Sequence, residues 1–170
     1  SASVGLGLLA MYAVDLKQSG KSFKKIISMV NQKKNDIELY AIFDDLKYIV
    51  RGGRVPSKIK TIANLFRLRP VLGVKKGKLK PRGVLYGKSR VINKLAYFLS
   101  TKIKNEPKYR LLVAHSNAKE RGNELMQTLT TQHPNIEESY LLELGGALGA
   151  HAGPNSLVVA FHPIDKLWYK

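Results

Sequence analysis

Cysteine is absent from this chain of 170 residues, which excludes disulfide bonds and thiolate metal sites. The four histidines show no ligand spacing such as H-E-x-x-H, so no metal or other cofactor is expected. No apolar run reaches the length of a membrane span, and the uncharged residues 1–14 lack the basic leader and cleavage pattern of a signal peptide. These absences fit a cytoplasmic protein, and the length fits one domain with a full hydrophobic core.

Acidic residues are scarce. The chain has 12 of them against 29 lysines and arginines, a net charge of +17. The imbalance is concentrated between Arg51 and Lys94, where 14 basic residues occur and no acidic one. Such a block favours an anionic partner, or forms a solvated basic surface. A nucleic-acid-binding domain using residues 51–94 is therefore one alternative, although no binding motif with stacking aromatic residues is visible, which makes nucleic acid the less favoured partner.

Patterns typical of catalysis are missing as well. The sequence contains no G-x-S-x-G and no Walker motif, and its acidic residues are too scattered to indicate a carboxylate pair. Gly5, Gly7 and Ala10 match the loose dinucleotide pattern G-x-G-x-x-A, but the strand that should precede it has no room. Glycines at these positions instead predict the close approach of another element or of a ligand. The chain is expected to be a binding protein rather than an enzyme.

Hydrophobic spacing predicts helices that alternate with strands, together with one hairpin about a glycine turn. This pattern predicts an α/β domain with a mixed β-sheet packed with α-helices. Helices are predicted over residues 2–16, from the cap Ser22 to about 35, from Asp44 or Asp45 to 51, from the cap Ser57 to 66, over 89–104, and from the cap Asn117 to 132. Strands are predicted over residues 37–43, 71–76, 78–86, 109–115, 138–144 and 157–161.

Two short segments are candidate ligand sites. Residues 149–154 form a glycine-rich turn around His151, where Gly149 and Gly153 would let backbone and imidazole approach an anion such as a carboxylate. A tight turn with an incidental surface histidine is the alternative. Arg51 and Arg54 flank two glycines and could clamp a carboxylate or phosphate. They could equally pair with nearby aspartates and only fix a turn.

Three segments of the sequence form a set whose order and spacing are informative. They are Ser3-Val4-Gly5-Leu6-Gly7-Leu8-Leu9, then Tyr40 followed by Asp44-Asp45-Leu46-Lys47-Tyr48-Ile49-Val50-Arg51-Gly52-Gly53-Arg54, and finally Leu144-Gly145-Gly146 followed by Gly149-Ala150-His151-Ala152-Gly153-Pro154. Taken together, they resemble the carboxy-terminal half of the DegV family of fatty-acid-binding proteins. The match extends over essentially the whole chain, although each motif alone is weak.

The resemblance implies a non-catalytic carrier that holds one long-chain fatty acid between two domains. In the bacterial fatty acid kinase system such a carrier presents the acyl carboxylate to a separate ATP-using kinase subunit. His151 and Arg54 would hold the carboxylate, with Arg51, Gly149 and Gly153 beside them. The acyl pocket would be lined by Val4, Gly5, Leu8, Leu9, Tyr40 and Ile42. Docking to the kinase would use Lys88, Arg90 and Tyr86, the last at a position near which family members often carry a basic residue.

The resemblance also implies a domain assignment. Residues 1–165 would correspond to the second domain of the two-domain DegV fold, and residues 166–170 would form a tail. The family's amino-terminal domain, which contributes hydroxyl residues to the same head group, is missing from the sequence. The chain is therefore expected to be a piece of a longer protein.

Overall fold

The computed structural model describes residues 3–53, 68–75, 78–87 and 89–164. Within these ranges the chain forms six helices and six strands, which alternate for most of its length. The helices are α1 Val4–Gln18, α2 Phe23–Lys33, α3 Lys47–Arg51, α4 Val91–Ser100, α5 Lys119–Gln132 and α6 Gly146–Ala152. The strands are β1 Glu38–Ile42, β2 Leu68–Lys75, β3 Lys78–Tyr86, β4 Tyr109–Ser116, β5 Ile136–Glu143 and β6 Ser156–Pro163.

All six strands join one mixed sheet in the order β3-β2-β1-β6-β4-β5. Strands β4 and β5 pair in parallel through the crossover helix α5, and the other neighbours are antiparallel. Because of these directions, one end of the sheet contains the carboxyl ends of β1, β3, β4 and β5 and the amino ends of β2 and β6. We call it the site end. This architecture confirms the predicted α/β class with a mixed sheet.

Each face of the sheet has its own apolar core, because side chains alternate along a strand. Helices α4 and α5 cover one face, and α1 covers β6, β4 and β1 on the other, together with α3 and α6. Gly7 allows α1 to come close, since a Cβ at this position would lie 3.2 Å from Cδ2 of Leu112 in β4. The glycine predicted to permit close approach thus packs against the sheet.

Local signals explain several element boundaries. The Ser22 hydroxyl accepts a hydrogen bond from the backbone N–H of Lys25 at 3.4 Å and so caps α2, as predicted. The carboxylate of Asp45 accepts from the N–H of Lys47 at 2.7 Å, where α3 begins. The cap predicted at Asn117 is wrong, because Ala118 precedes α5 and Asn117 adopts a left-handed φ of 47°.

The glycine-rich segment around His151 differs most from its prediction. The sequence predicts a glycine-rich turn over residues 149–154, but residues 146–152 form the short helix α6, which places His151 in the last turn of that helix. The chain turns afterwards, at Gly153 with φ 75° and Asn155 with φ 60°. Small residues in the segment are compatible with either conformation, and packing of α6 against α3 selects the helix.

The helix predicted over residues 57–66, the hairpin turn at 76–77 and the tail 166–170 lie outside the described residues. The remaining predicted helices and strands are confirmed, with boundaries that differ by a few residues. Helix α4, for example, ends at Ser100 rather than 104. None of the helices in the described ranges is both long and apolar enough to cross a bilayer.

Candidate functional site

The candidate site is built at the site end of the sheet, where α3 and α6 meet. Helix α3 follows β1, and α6 connects β5 to the central strand β6. Both helices rest on the face that α1 covers, since Ile49 of α3 and Ala152 of α6 share an apolar cluster with Val4 of α1. The topology thus brings together two segments that are about 100 residues apart in sequence.

Direct contact between these two segments is made through glycines. The imidazole of His151 lies so close to Gly52 that a Cβ there would overlap Nδ1 and would lie 3.1 Å from Cε1. A Cβ at Gly153 would in the same way overlap the ring of Tyr48 in α3. Gly153 also has a positive φ of 75°, which L side chains rarely adopt. Both glycines are therefore required for the two helices to approach each other.

Polar groups beside this contact are open to a ligand. His151 is half-buried, and Arg51, the last residue of α3, is exposed. Among the described residues neither side chain makes a hydrogen bond or ion pair. Gly149 lies next to the end of β4, where a Cβ would be 3.6 Å from the Ser116 hydroxyl. The structure thus places Arg51, Gly149, His151 and Gly153 in one region, whereas Arg54 lies outside the described residues.

A polar clamp, formed by Asp44, Arg69, Arg121 and Asn155, fixes the two segments that carry the site. The Asp44 carboxylate, just after β1, forms ion pairs with Arg69 and, at 3.4 Å, with Arg121 of α5. Arg121 also donates to the carbonyl of Asn155 at 2.9 Å, immediately after α6. One guanidinium therefore links the chain before α3 to the chain after α6. Asp44 therefore pairs with Arg69 and Arg121. In the alternative considered from the sequence, Arg51 or Arg54 would have paired with a nearby aspartate to fix a turn.

The residues expected to line an acyl pocket divide between the two faces of the sheet. Val4 and Leu8 belong to the cluster beneath α1, and Gly5 and Leu9 are buried on the same helix. Tyr40 and Ile42 point to the opposite face and pack in the other core.

The two-residue period of β1 is the reason for this division. The β1 and post-β1 side chains on the α1 face are Leu39, Ala41 and Phe43, which sequence reasoning missed. Counting every second residue of β1 from one residue known to face α1 would have identified them.

The described docking candidates also lie at the site end, at the end of the edge strand β3 and in the loop that follows it. Tyr86 is 70% exposed at the end of this strand, and Arg90 is exposed in a left-handed conformation before α4. Lys94 donates to the carbonyls of Tyr86 and Ser89, at 2.6 and 2.9 Å, and so holds this loop. Lys88 lies outside the described residues. Among the described side chains, no three His, Asp or Glu groups cluster as a metal site would require.

Comparison with known proteins assigns the chain to a family. A family model described as "Uncharacterised protein, DegV family" matches residues 1–163. The chain belongs to the DegV family. A DegV domain-containing protein of Clostridium perfringens is 30% identical over 162 residues, which cover 95% of this chain and 55% of that relative. The DegV-family chain thus spans about half the length of this relative.

Solved structures share the fold. A DegV family protein from Thermus thermophilus, described as binding fatty acid, superposes with a TM-score of 0.85 at 21% identity over 96% of this chain and 59% of that one. DegV from Bacillus subtilis, described as a fatty acid binding protein, gives a TM-score of 0.77 at 24% identity over 94% of this chain and 57% of that one. These likenesses establish the fold of the DegV-family chain.

Proposed function

We propose that this chain forms the carboxy-terminal half of a fatty-acid carrier and binds the carboxylate and part of the acyl chain of a long-chain fatty acid. The observation that carries the proposal is the contact of His151 with Gly52. It brings the His151 imidazole next to the segment that contains Arg51, beside the apolar cluster beneath α1. A fatty acid has the matching chemistry, a single anionic head on a long apolar tail.

The head group would be held by His151, Arg51 and Arg54, with Gly149 and Gly153 allowing the backbone to come close. A carboxylate that leaves water needs hydrogen-bond donors, and one such bond to a charged group contributes about 1.5–3 kcal/mol. Arg51 and His151 are available because the described part of the chain offers them no other polar partner. These residues would therefore fix the position of the head group more than they would determine affinity.

The tail would supply most of the affinity. About 14 methylenes gain roughly 11 kcal/mol when buried at about 0.8 kcal/mol each, before the costs of ordering and association. Val4 and Leu8 of α1 and Leu39 and Ala41 of β1 belong to the buried apolar cluster that also includes Ile49 of α3 and Ala152 of α6. We place the tail beside this cluster, on the α1 face of the sheet.

A separate kinase subunit would act on the exposed carboxylate. One carboxylate oxygen would attack the γ-phosphorus of ATP, giving acyl phosphate and ADP, and the carrier would present the carboxylate without taking part in bond making. Arg90 and Tyr86 are exposed at the site end and are the docking candidates in the described part of the chain. The family's amino-terminal domain would complete the head-group site.

The first experiment asks whether fatty acid is bound. Native mass spectrometry of the two-domain protein should show one fatty acid per chain, and the delipidated protein should take up radiolabelled palmitate. If the protein carries no co-purified fatty acid and the delipidated form binds none, the proposal is wrong.

The second experiment separates head-group positioning from affinity. His151→Ala should lower acyl-phosphate formation with the kinase about ten-fold or more, while palmitate retention falls by less, because the tail dominates binding. His133→Ala is a matched control, since His133 is also half-buried but lies at the opposite end of the sheet, before β5. Equal losses of phosphorylation and retention in His151→Ala would contradict this division of roles.

A further inference from the structure

Helix α2 carries two large apolar side chains that the rest of the described chain does not cover. Phe23 and Ile27 are one helical turn apart on its surface, whereas Ile26, Met29 and Val30 are half-buried. Phe23 is 78% exposed and Ile27 47% exposed. The one buried residue of α2 is a lysine, Lys33. The helix therefore displays one aromatic and one aliphatic side chain to solvent, beside its half-buried apolar residues.

Lys33 lies on the side of α2 that packs against α1. Its ammonium group lies 5.3 Å from the ring centroid of Tyr12 in α1, within the range of a cation–π contact. Tyr12 is itself only 3% exposed, so this contact lies inside the protein. Anchoring α2 on α1 through Lys33 leaves Phe23 and Ile27 on the outer surface.

The exposed apolar residues are surrounded by positive charge. No acidic residue occurs between Asp15 and Asp36. Four lysines in this stretch, apart from the anchoring one, are exposed, and a fifth is partly exposed. They are Lys17, Lys24, Lys25, Lys34 and the partly exposed Lys21. The surface of α2 thus combines an aromatic and an aliphatic residue with a cluster of cations.

The charge decides between possible occupants of this surface. A second copy of a chain with net charge +17 would bring lysine against lysine, which is unfavourable. A partner with a groove would need to enclose a helix, but one flank of α2 is already packed against α1. A planar anionic surface fits both the convex apolar edge and the lysines that flank it.

We propose that α2 docks this protein on the surface of an anionic lipid bilayer. Phe23 and Ile27 enter the boundary between head groups and acyl chains, and the exposed lysines pair with lipid phosphates. None of these residues belongs to the candidate fatty-acid site, so the inference goes beyond the proposed function.

Vesicle sedimentation tests the docking surface. The protein should bind vesicles of equal parts phosphatidylglycerol and phosphatidylcholine but not phosphatidylcholine alone, and binding should weaken with salt. The double variant Phe23→Ser/Ile27→Ser should bind about ten-fold more weakly. Lys24→Glu/Lys25→Glu should show a loss of at least about ten-fold, since each lysine near such a surface contributes roughly a five-fold factor.

Tyr97→Ser is the matched control, because Tyr97 is 75% exposed on α4. It should change vesicle binding by less than about two-fold. The proposal is overturned if the wild type ignores anionic vesicles at low salt, if the Phe23/Ile27 variant retains full binding, or if Tyr97→Ser loses as much. Circular dichroism checks that each variant is folded. Palmitate retention, measured on the same variants, should be unchanged, so that this inference and the proposed function can fail independently.

Discussion

Replacing Arg110 with alanine should break the contact that anchors the carboxyl-terminal half of α1 to the sheet. Arg110, in β4, is only 4% exposed and donates three hydrogen bonds. One reaches Asp15 of α1 at 2.6 Å, and two reach Glu138 of β5 at 2.7 and 2.8 Å. Without the guanidinium, two carboxylates would remain close together with no cation between them.

The expected loss of stability follows from this burial. Removing one partner of a buried ion pair costs about 3–5 kcal/mol, because the remaining charge is left uncompensated. The Glu138 side chain is one-third exposed and its share is screened by solvent, so the lower end of this range applies. We expect the free energy of unfolding of Arg110→Ala to fall by about 3 kcal/mol at pH 7.

The loss should depend on pH in a defined direction. The hydrogen bond from Arg110 lowers the pKa of Glu138, whereas burial raises the pKa of Asp15. The stabilisation through Glu138 is present above its unfolded pKa, about 4.3, and is lost as the pH falls through the lower folded value. In Arg110→Ala both carboxyls lose their cation, so their pKa values rise and protonation relieves the variant at higher pH than the wild type. The stability gap should therefore shrink by at least about 1 kcal/mol between pH 7 and pH 4.

Urea denaturation at pH 7 and pH 4 measures both effects, with the midpoint read at constant slope. Lys108→Ala is the matched control, because Lys108 pairs with Glu137 on the neighbouring surface but is 48% exposed. It should cost less than about 1 kcal/mol. A loss in Arg110→Ala no larger than this control, or one equal at the two pH values, would refute the role assigned to the buried carboxylates.

Two further substitutions test the candidate site. Gly52→Ala should displace the His151 imidazole and weaken palmitate retention, whereas Gly145→Ala, where a Cβ meets nothing within 4 Å, should not; similar retention in both variants would contradict the contact. Arg121→Ala should release the chain after α6 from Asp44, which keeps its ion pair with Arg69. The free energy of unfolding should fall by about 1–2 kcal/mol, and acyl-phosphate formation should fall although the variant stays folded. Wild-type turnover in Arg121→Ala, measured with saturating kinase, would show that the clamp does not position the site.

Most of the fold could be predicted from the sequence because its helices and strands carry strong local patterns. The alternation in β1 and the i, i+4 spacing in α4 each identify one element type. The order of the strands in the sheet could not be predicted from such local patterns. The central position of β6, the last strand of the chain, depends on long-range pairing with β1 and β4. Local periodicity carries no information on which strands become neighbours.

The candidate site was predictable to the extent that it rests on glycines. The two glycine-containing segments could be identified from sequence as ligand candidates, and the structure shows why glycine is needed at Gly52 and Gly153. The clamp through Arg121 could not be foreseen, because the arginine lies 77 positions from Asp44 in a helix with no distinctive motif. Its role arises only from where α5 begins relative to the site end.

The buried ion pair also accounts for the orientation of α1, on which the site depends. This helix is apolar on nearly all sides, so hydrophobic burial alone does not select the face that meets the sheet. Leu8 is fully buried, whereas Leu6, of the same residue type, is 58% exposed. Asp15 is the first charged residue of the helix, and turning it outward would deprive buried Arg110 of one carboxylate, at a cost of several kcal/mol. We infer that this pair fixes the rotation of α1, and that the rotation turns Val4 and Leu8, rather than Leu6, into the apolar cluster that also contains Ile49 and Ala152.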